Sequence, residues 1–122
     1  MKKPVHIYDP VFRRNIYSFH QWSQENFASY MAKNYKIKYD NLTDYNGNTS
    51  EIVNGSNTII ILWTRKSNPL EAVSCLSHEA VHVTNMILKC AGVDIDTRND
   101  ELQAYHTSMI VRETLRGQKC LK

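Results

Sequence analysis

The sequence predicts an α+β protein: a small antiparallel sheet packed on three helices, with the helix through residues 78–82 central. Three observations predict it. Alternating or β-branched stretches (VHIYD at 5–9, YKIKY at 35–39, TIIILW at 58–63) fall in the first half of the chain. Two long stretches at helical period, 69–91 and 97–116, fill the second half with no internal glycine. Asn-Gly turn signals, at Asn46-Gly47 and Asn54-Gly55, break up the region between.

VHIYD reads as a short strand that ends at Pro10. Residues 11–34 then read as a helix, because Phe12, Ile16, Phe19, Phe27, Tyr30 and Met31 recur near helical spacing without an interrupting Gly or Pro. Residues 35–64 read as an antiparallel meander whose best strand is 58–64. Its turn-rich part, 41–57, is expected as an exposed loop or as the lining of a cleft. At Ser67-Asn68-Pro69-Leu70-Glu71, Asn68 suits an N-cap, Pro69 the first helical position and Glu71 the third. That helix should run to Ala91, with Gly92 as its stop. Its apolar positions cover nearly every face, so it is expected to be enclosed. The last helix is expected from Thr97 to Arg116, stopped by Gly117, with Leu102, Tyr105, Met109 and Leu115 on the core face.

At 122 residues the chain is one domain by length, 1–122, with 42% hydrophobic and 22% charged residues. The net charge of +3 is too mild and too scattered to predict nucleic-acid binding. The longest apolar run, Ile59 to Trp63, is far shorter than a membrane span. MKKPVHIYDP lacks the apolar stretch of an export signal. Cys75, Cys90 and Cys120 have no paired spacing and read as free thiols, so the expected compartment is the cytoplasm. His6 and His20 receive no role, and Trp22 and Trp63 read as core or groove residues.

The chemistry concentrates in SHEAVHVTNM, 77–86. His78 and His82 are four apart and share one helical face, so their imidazoles can bind one tetrahedral zinc ion, Zn2+. Glu79 is rotated about 100° from His78, too far to ligate easily and near enough to hydrogen-bond a water on the metal. This is the H-E-x-x-H arrangement, in which zinc acidifies its water and the carboxylate takes the proton. A third ligand is needed, and Glu101 is the candidate. It opens the next helix, and two antiparallel helices joined by a short loop would bring it toward His82.

HEAVH followed by Glu101 in NDELQAY resembles the gluzincin clan of zinc metallopeptidases in minimal form, and also small HExxH proteins of phage and bacterial genomes; the resemblance covers about residues 58–116. It implies a zinc peptidase in which His78, His82 and Glu101 hold the metal. Glu79 would be the general base that activates the metal-bound water. Strand 58–64 would be an edge strand that pairs with an extended peptide or protein substrate. The alternative is a catalytically inactive metallopeptidase-like binding or regulatory protein. At the position four after Glu101, where these enzymes carry Asp, this chain has Tyr105.

Neighbouring residues have two readings each. Tyr105 either donates to a ligand or transition state or packs in the core. His106 is either an electrophilic donor near zinc or an ordinary half-buried histidine. Cys75, one turn before His78, is either a fourth ligand closing the site or a small buried hydrophobe.

Overall fold

The computed structural model describes residues 2–39, 42–54, 57–98 and 100–120. The fold is α+β, a four-stranded, mostly antiparallel sheet with three helices. Strand β1 (Val5–Asp9) alternates as expected, burying Val5, Ile7 and Asp9. The Asp9 carboxylate then accepts from the backbone N–H of Val11 at 3.0 Å and of Phe12 at 3.3 Å. That turn sends the chain back as strand β2 (Arg14–Trp22), antiparallel to β1.

The helix expected over 11–34 is therefore half strand. Only Gln24–Tyr35 is helical (α1), capped by Ser23, whose hydroxyl accepts from Asn26 N–H at 3.2 Å. The spacing of Phe12, Ile16 and Phe19 imitates a helix because β2 is covered on both faces. Ile16 belongs to one apolar cluster and Phe19 to the other, so simple alternation is lost.

The sheet order is β1-β2-β4-β3, with β3 spanning Gly47–Asn54 and β4 spanning Asn57–Arg65. β3 and β4 form the expected antiparallel hairpin. β4 also pairs in parallel with β2, through a crossover containing α1. The meander expected from residue 35 is thus limited to 47–65, since residues 36–39 have no regular structure. Gly47 opens β3 opposite Thr64, whereas Asn54 pairs with Asn57 at the hairpin end. Gly55 of the second turn signal lies outside the described residues.

Three layers result. Ile60 and Leu62 face α2 (Pro69–Cys90) and α3 (Glu101–Cys120), and Ile61 and Trp63 face α1. α2 starts as expected: Asn68 Oδ1 accepts from Glu71 N–H at 2.9 Å, with Pro69 in the first position. Gly92, past its end, has φ +73°. α2 lies between the sheet and α3, but it is not enclosed. Val73 and Val81 are exposed, as are His78 and His82.

α3 begins four residues later than expected. Asp96 Oδ1 caps Arg98 N–H at 2.9 Å, which turns the chain before the helix, and Thr97 stays in that turn. α3 also continues through Gly117, which does not stop it. A β-carbon there would run into the Val5 side chain, so glycine lets α3 approach β1 closely. The buried face is His106, Met109, Ile110 and Thr114, while Tyr105 and Leu115 are exposed. Among the described residues no helix is long and apolar enough to cross a membrane.

His20 shows a fold-linked protonation. It is buried, and its Nδ1 accepts from the Thr64 hydroxyl at 2.6 Å, while that oxygen accepts from Gln21 N–H at 3.0 Å. Burial, then the charge of Lys2, lowers its pKa to about 4 from 6.5. The unfolded chain therefore takes up this proton first as pH falls. Stability from a neutral His20 is complete above pH 6.5, declines between 6.5 and 4, and is gone below. Denaturant titrations at pH 7 and pH 4.5 should differ by up to roughly 2–3 kcal/mol from this group. The His20→Asn protein should lose correspondingly less across the same interval; equal losses would remove His20 as the cause.

Candidate functional site

α2 presents His78 and His82 on one exposed face, as their spacing requires. Their Nε2 atoms are 3.2 Å apart, with ring centroids at 4.8 Å. Two nitrogen ligands on a tetrahedral zinc would be about 3.3 Å apart. The pair thus fits two of the ligands of such an ion, and the same separation serves as an N–H···N hydrogen bond when one ring donates.

Glu79 lies beside them and turns inward. It is only 6% exposed, so its carboxylate needs a partner. Thr49 of β3 supplies it: the Thr49 hydroxyl lies 2.7 Å from Oε1 and 3.3 Å from the Glu79 carbonyl oxygen. Oε2 is left 4.0 Å from His78 Nε2. Gly47 makes room for this arrangement, since a β-carbon there would sit 2.9 Å from Glu79 Cγ and 2.8 Å from the Trp63 carbonyl. The carboxylate and the imidazole pair therefore lie side by side, with the carboxylate held by the neighbouring strand.

They lie on the floor of a groove of about 760 Å³ between β3 and α2. Gly47, Thr49 and Glu51 line one side, and His78, His82 and Met86 the other. The strand beside the site is β3. Strand 58–64, expected as the substrate-pairing edge, lies inside β4, which has a partner on each side. β3, like β1, is an edge of the sheet, and it takes up 47–54 of the stretch 41–57, expected as an exposed loop or the lining of a cleft; Gly47, Asn48, Thr49 and Glu51 of it line the groove.

The remaining expected site residues are not brought to the histidines. Gln103 Nε2 donates to Asn85 Oδ1 at 2.7 Å, and Thr107 and Thr84 hydroxyls meet at 3.1 Å, which marks the face of α3 that meets α2. Glu101 is about 200° round the helix from Gln103. It is exposed, on the same outer stripe as Tyr105 and Ser108. Tyr105 is 52% exposed, so it neither packs in the core nor lines the groove. His106 is fully buried against β1, bonded to Asp9 at 3.2 Å and to the Leu102 carbonyl at 3.0 Å. Cys75 is half-buried in a second hollow beside His78. Burial, then the charges of Glu71 and Glu79, push its thiol pKa up, away from the thiolate a metal would bind. Among the described residues no three His, Cys, Asp or Glu side chains group closely enough to hold a metal ion.

Sequence reasoning missed Thr49, Gly47 and Glu51. The available signal was GNTSEIVN, eight residues bracketed by two Asn-Gly pairs, with alternate members on one face. No family model matches the chain, and no curated protein or solved structure matches it.

Proposed function

We propose that the protein is a zinc-dependent peptidase of minimal gluzincin type, working on extended peptide in the β3–α2 groove. One observation carries this reading. Two imidazole nitrogens converge at 3.2 Å beside a buried carboxylate, on the floor of a groove bounded by a free strand edge. His78 and His82 would hold the metal, with Glu101 as the third donor that the family resemblance assigns. Zinc, when bound, supplies a Lewis acid for the scissile carbonyl and an acidified water. Glu79 takes the proton of the attacking water and returns it to the leaving amine. Thr49 holds that carboxylate in place, and the β3 edge offers backbone groups to an extended substrate. Free Cys75 and Cys90 support a reducing cytoplasm as its compartment.

The outward placement of Glu101 favours a second reading, a metallopeptidase-like scaffold that binds without turnover. For Glu101 to reach the histidines, the first turn of α3 must unwind. Glu101 and Ala104 in that turn are exposed, whereas Leu102 and Gln103 are half-buried and Gln103 is bonded to Asn85.

Elemental analysis tests the shared premise. Protein purified without added metal should carry one zinc per chain, and the His78→Ala, His82→Ala double variant should carry none and melt lower. In competition with a chelator, Glu101→Ala should weaken zinc binding far more than Asp100→Ala. Zinc retained at one per chain by the double variant removes the site. Wild-type affinity in Glu101→Ala removes the gluzincin assignment and leaves the scaffold.

A further inference from the structure

We infer that a hollow between α1 and the segment before β1 binds a small phosphorylated molecule, its phosphate held by Lys2, Lys3 and Lys33 and its apolar part laid against Trp22 and Tyr30. The hollow measures about 430 Å³, within the roughly 300–1,000 Å³ of small-ligand sites. It belongs to the α1 side of the sheet and shares no residue with the β3–α2 groove, so it needs nothing from the peptidase reading.

One face of α1 forms a wall. Asn26, Tyr30 and Lys33 recur at three to four residues and line the hollow, while Phe27 and Met31 are buried. Lys2 and Lys3, before β1, and Trp22, at the end of β2, complete it. No Asp or Glu lines it. Among the described residues no ion pair reaches Lys2, Lys3 or Lys33. Cations gathered without a counterion repel one another, and an entering anion both relieves that repulsion and meets opposite charge.

Lys2 is held in place before any ligand arrives. Its ammonium donates to the Gln21 carbonyl at 3.0 Å and stands 5.0 Å from the centre of the Trp22 ring. The carbonyl uses one of its three N–H donors, so two remain for phosphate oxygens. Gln21 has φ +64° and sits in a β2 bulge, where the register against β4 slips between Phe19 and Trp22. A positive φ is costly at a residue other than glycine, and bulges recur beside binding sites, where they re-aim side chains. Here the bulge carries the carbonyl that fixes Lys2. Burial, then the charge of Lys66, lowers the Lys2 pKa, so a fourth lysine adds to the same positive field.

The cations are all lysine, which acts as a point charge and lacks the planar fork with which arginine grips a carboxylate. A phosphate near pH 7 also carries about twice the charge of a carboxylate. Beside the lysines, the Trp22 and Tyr30 rings meet edge to face with centroids at 5.6 Å and give the ligand an apolar wall.

The test titrates ¹⁵N-labelled protein, with no metal added, with phenyl phosphate, inorganic phosphate and benzoate, and follows the amide resonances. Phenyl phosphate should give saturable shifts centred on Lys2, Lys3, Trp22, Tyr30 and Lys33. It should bind about fivefold or more tighter than inorganic phosphate, through its ring, and about threefold or more tighter than benzoate, through its charge. The Lys2→Gln, Lys33→Gln variant should bind phenyl phosphate about three- to tenfold more weakly, the scale of two exposed charge pairs. The Arg98→Gln, Arg112→Gln variant loses the same net charge on the far side of the sheet and should bind within a factor of about two of wild type. Both variants change exposed side chains, and their amide spectra report whether each is folded. Shifts that do not saturate, shifts centred elsewhere, or equal weakening in the two variants overturn the site. Inorganic phosphate binding as tightly as phenyl phosphate overturns the role of the rings, and benzoate binding as tightly overturns the choice of phosphate.

Discussion

On the proposed peptidase reading, Glu79→Gln should abolish hydrolysis while leaving fold and zinc content close to wild type. The substitution keeps the volume of the side chain, and the amide oxygen can still accept from the Thr49 hydroxyl that now lies 2.7 Å from Oε1. What it removes is the ability to take a proton. A positioned general base contributes on the order of 10²- to 10⁴-fold, so the rate on a blocked peptide should fall at least a hundredfold. Initial rates compared at equal zinc content check this. A Glu79→Gln rate within a factor of two of wild type would rule out Glu79 as the base. The burial of this residue makes the comparison clean. At 6% exposure, with Gly47 against its Cγ, the side chain has little room to adopt another pose. Residual activity could not then be assigned to a wandering carboxylate.

What could be read from sequence separates along one line: features set within a single element were legible, and features set by contacts between distant elements were not. α2 was legible from cap to stop because Asn68, Pro69 and Gly92 act locally. The shared face of His78 and His82 follows from helical geometry alone, and so does the different direction of Glu79. β2 was misread because a strand covered on both faces loses its alternation, and Phe12, Ile16 and Phe19 fall at helical intervals by accident. β3 was misread because an edge strand carrying Asn, Thr, Ser and Glu looks like a polar loop.

The phase of α3 depends on residues almost a hundred positions away. His106 turns inward to meet Asp9, and Gly117 turns inward to meet Val5. Those two contacts rotate Tyr105 and Leu115 outward and leave Glu101 on the same outer stripe as Tyr105. The position of the expected third ligand was therefore decided by packing on β1, far in sequence from the metal motif. No local pattern in NDELQAY records that packing.

The same pair sets the largest expected stability effect. Asp9 and His106 are both fully buried, and the carboxylate has three donors: Val11 N–H, Phe12 N–H and the His106 ring at 3.2 Å. The other ring nitrogen faces the Leu102 carbonyl at 3.0 Å. Asp9→Ala leaves the two backbone N–H groups and the His106 ring without their Asp9 partner, in a site closed to water. The expected loss is about 3–5 kcal/mol, the usual cost of breaking one side of a buried pair. That is a large share of the roughly 5–15 kcal/mol available to a domain, so the variant should melt about 10 °C lower or more. His106→Leu should cost less, because Asp9 keeps two backbone donors and the leucine fills apolar space beside Phe12. The double variant removes both partners together and should be less damaged than the sum of the singles, by about 1–3 kcal/mol. Urea unfolding of the four proteins measures each term. Additive losses, or an Asp9→Ala loss below about 1 kcal/mol, would mean that the pair does not hold α3 to the β1–β2 turn.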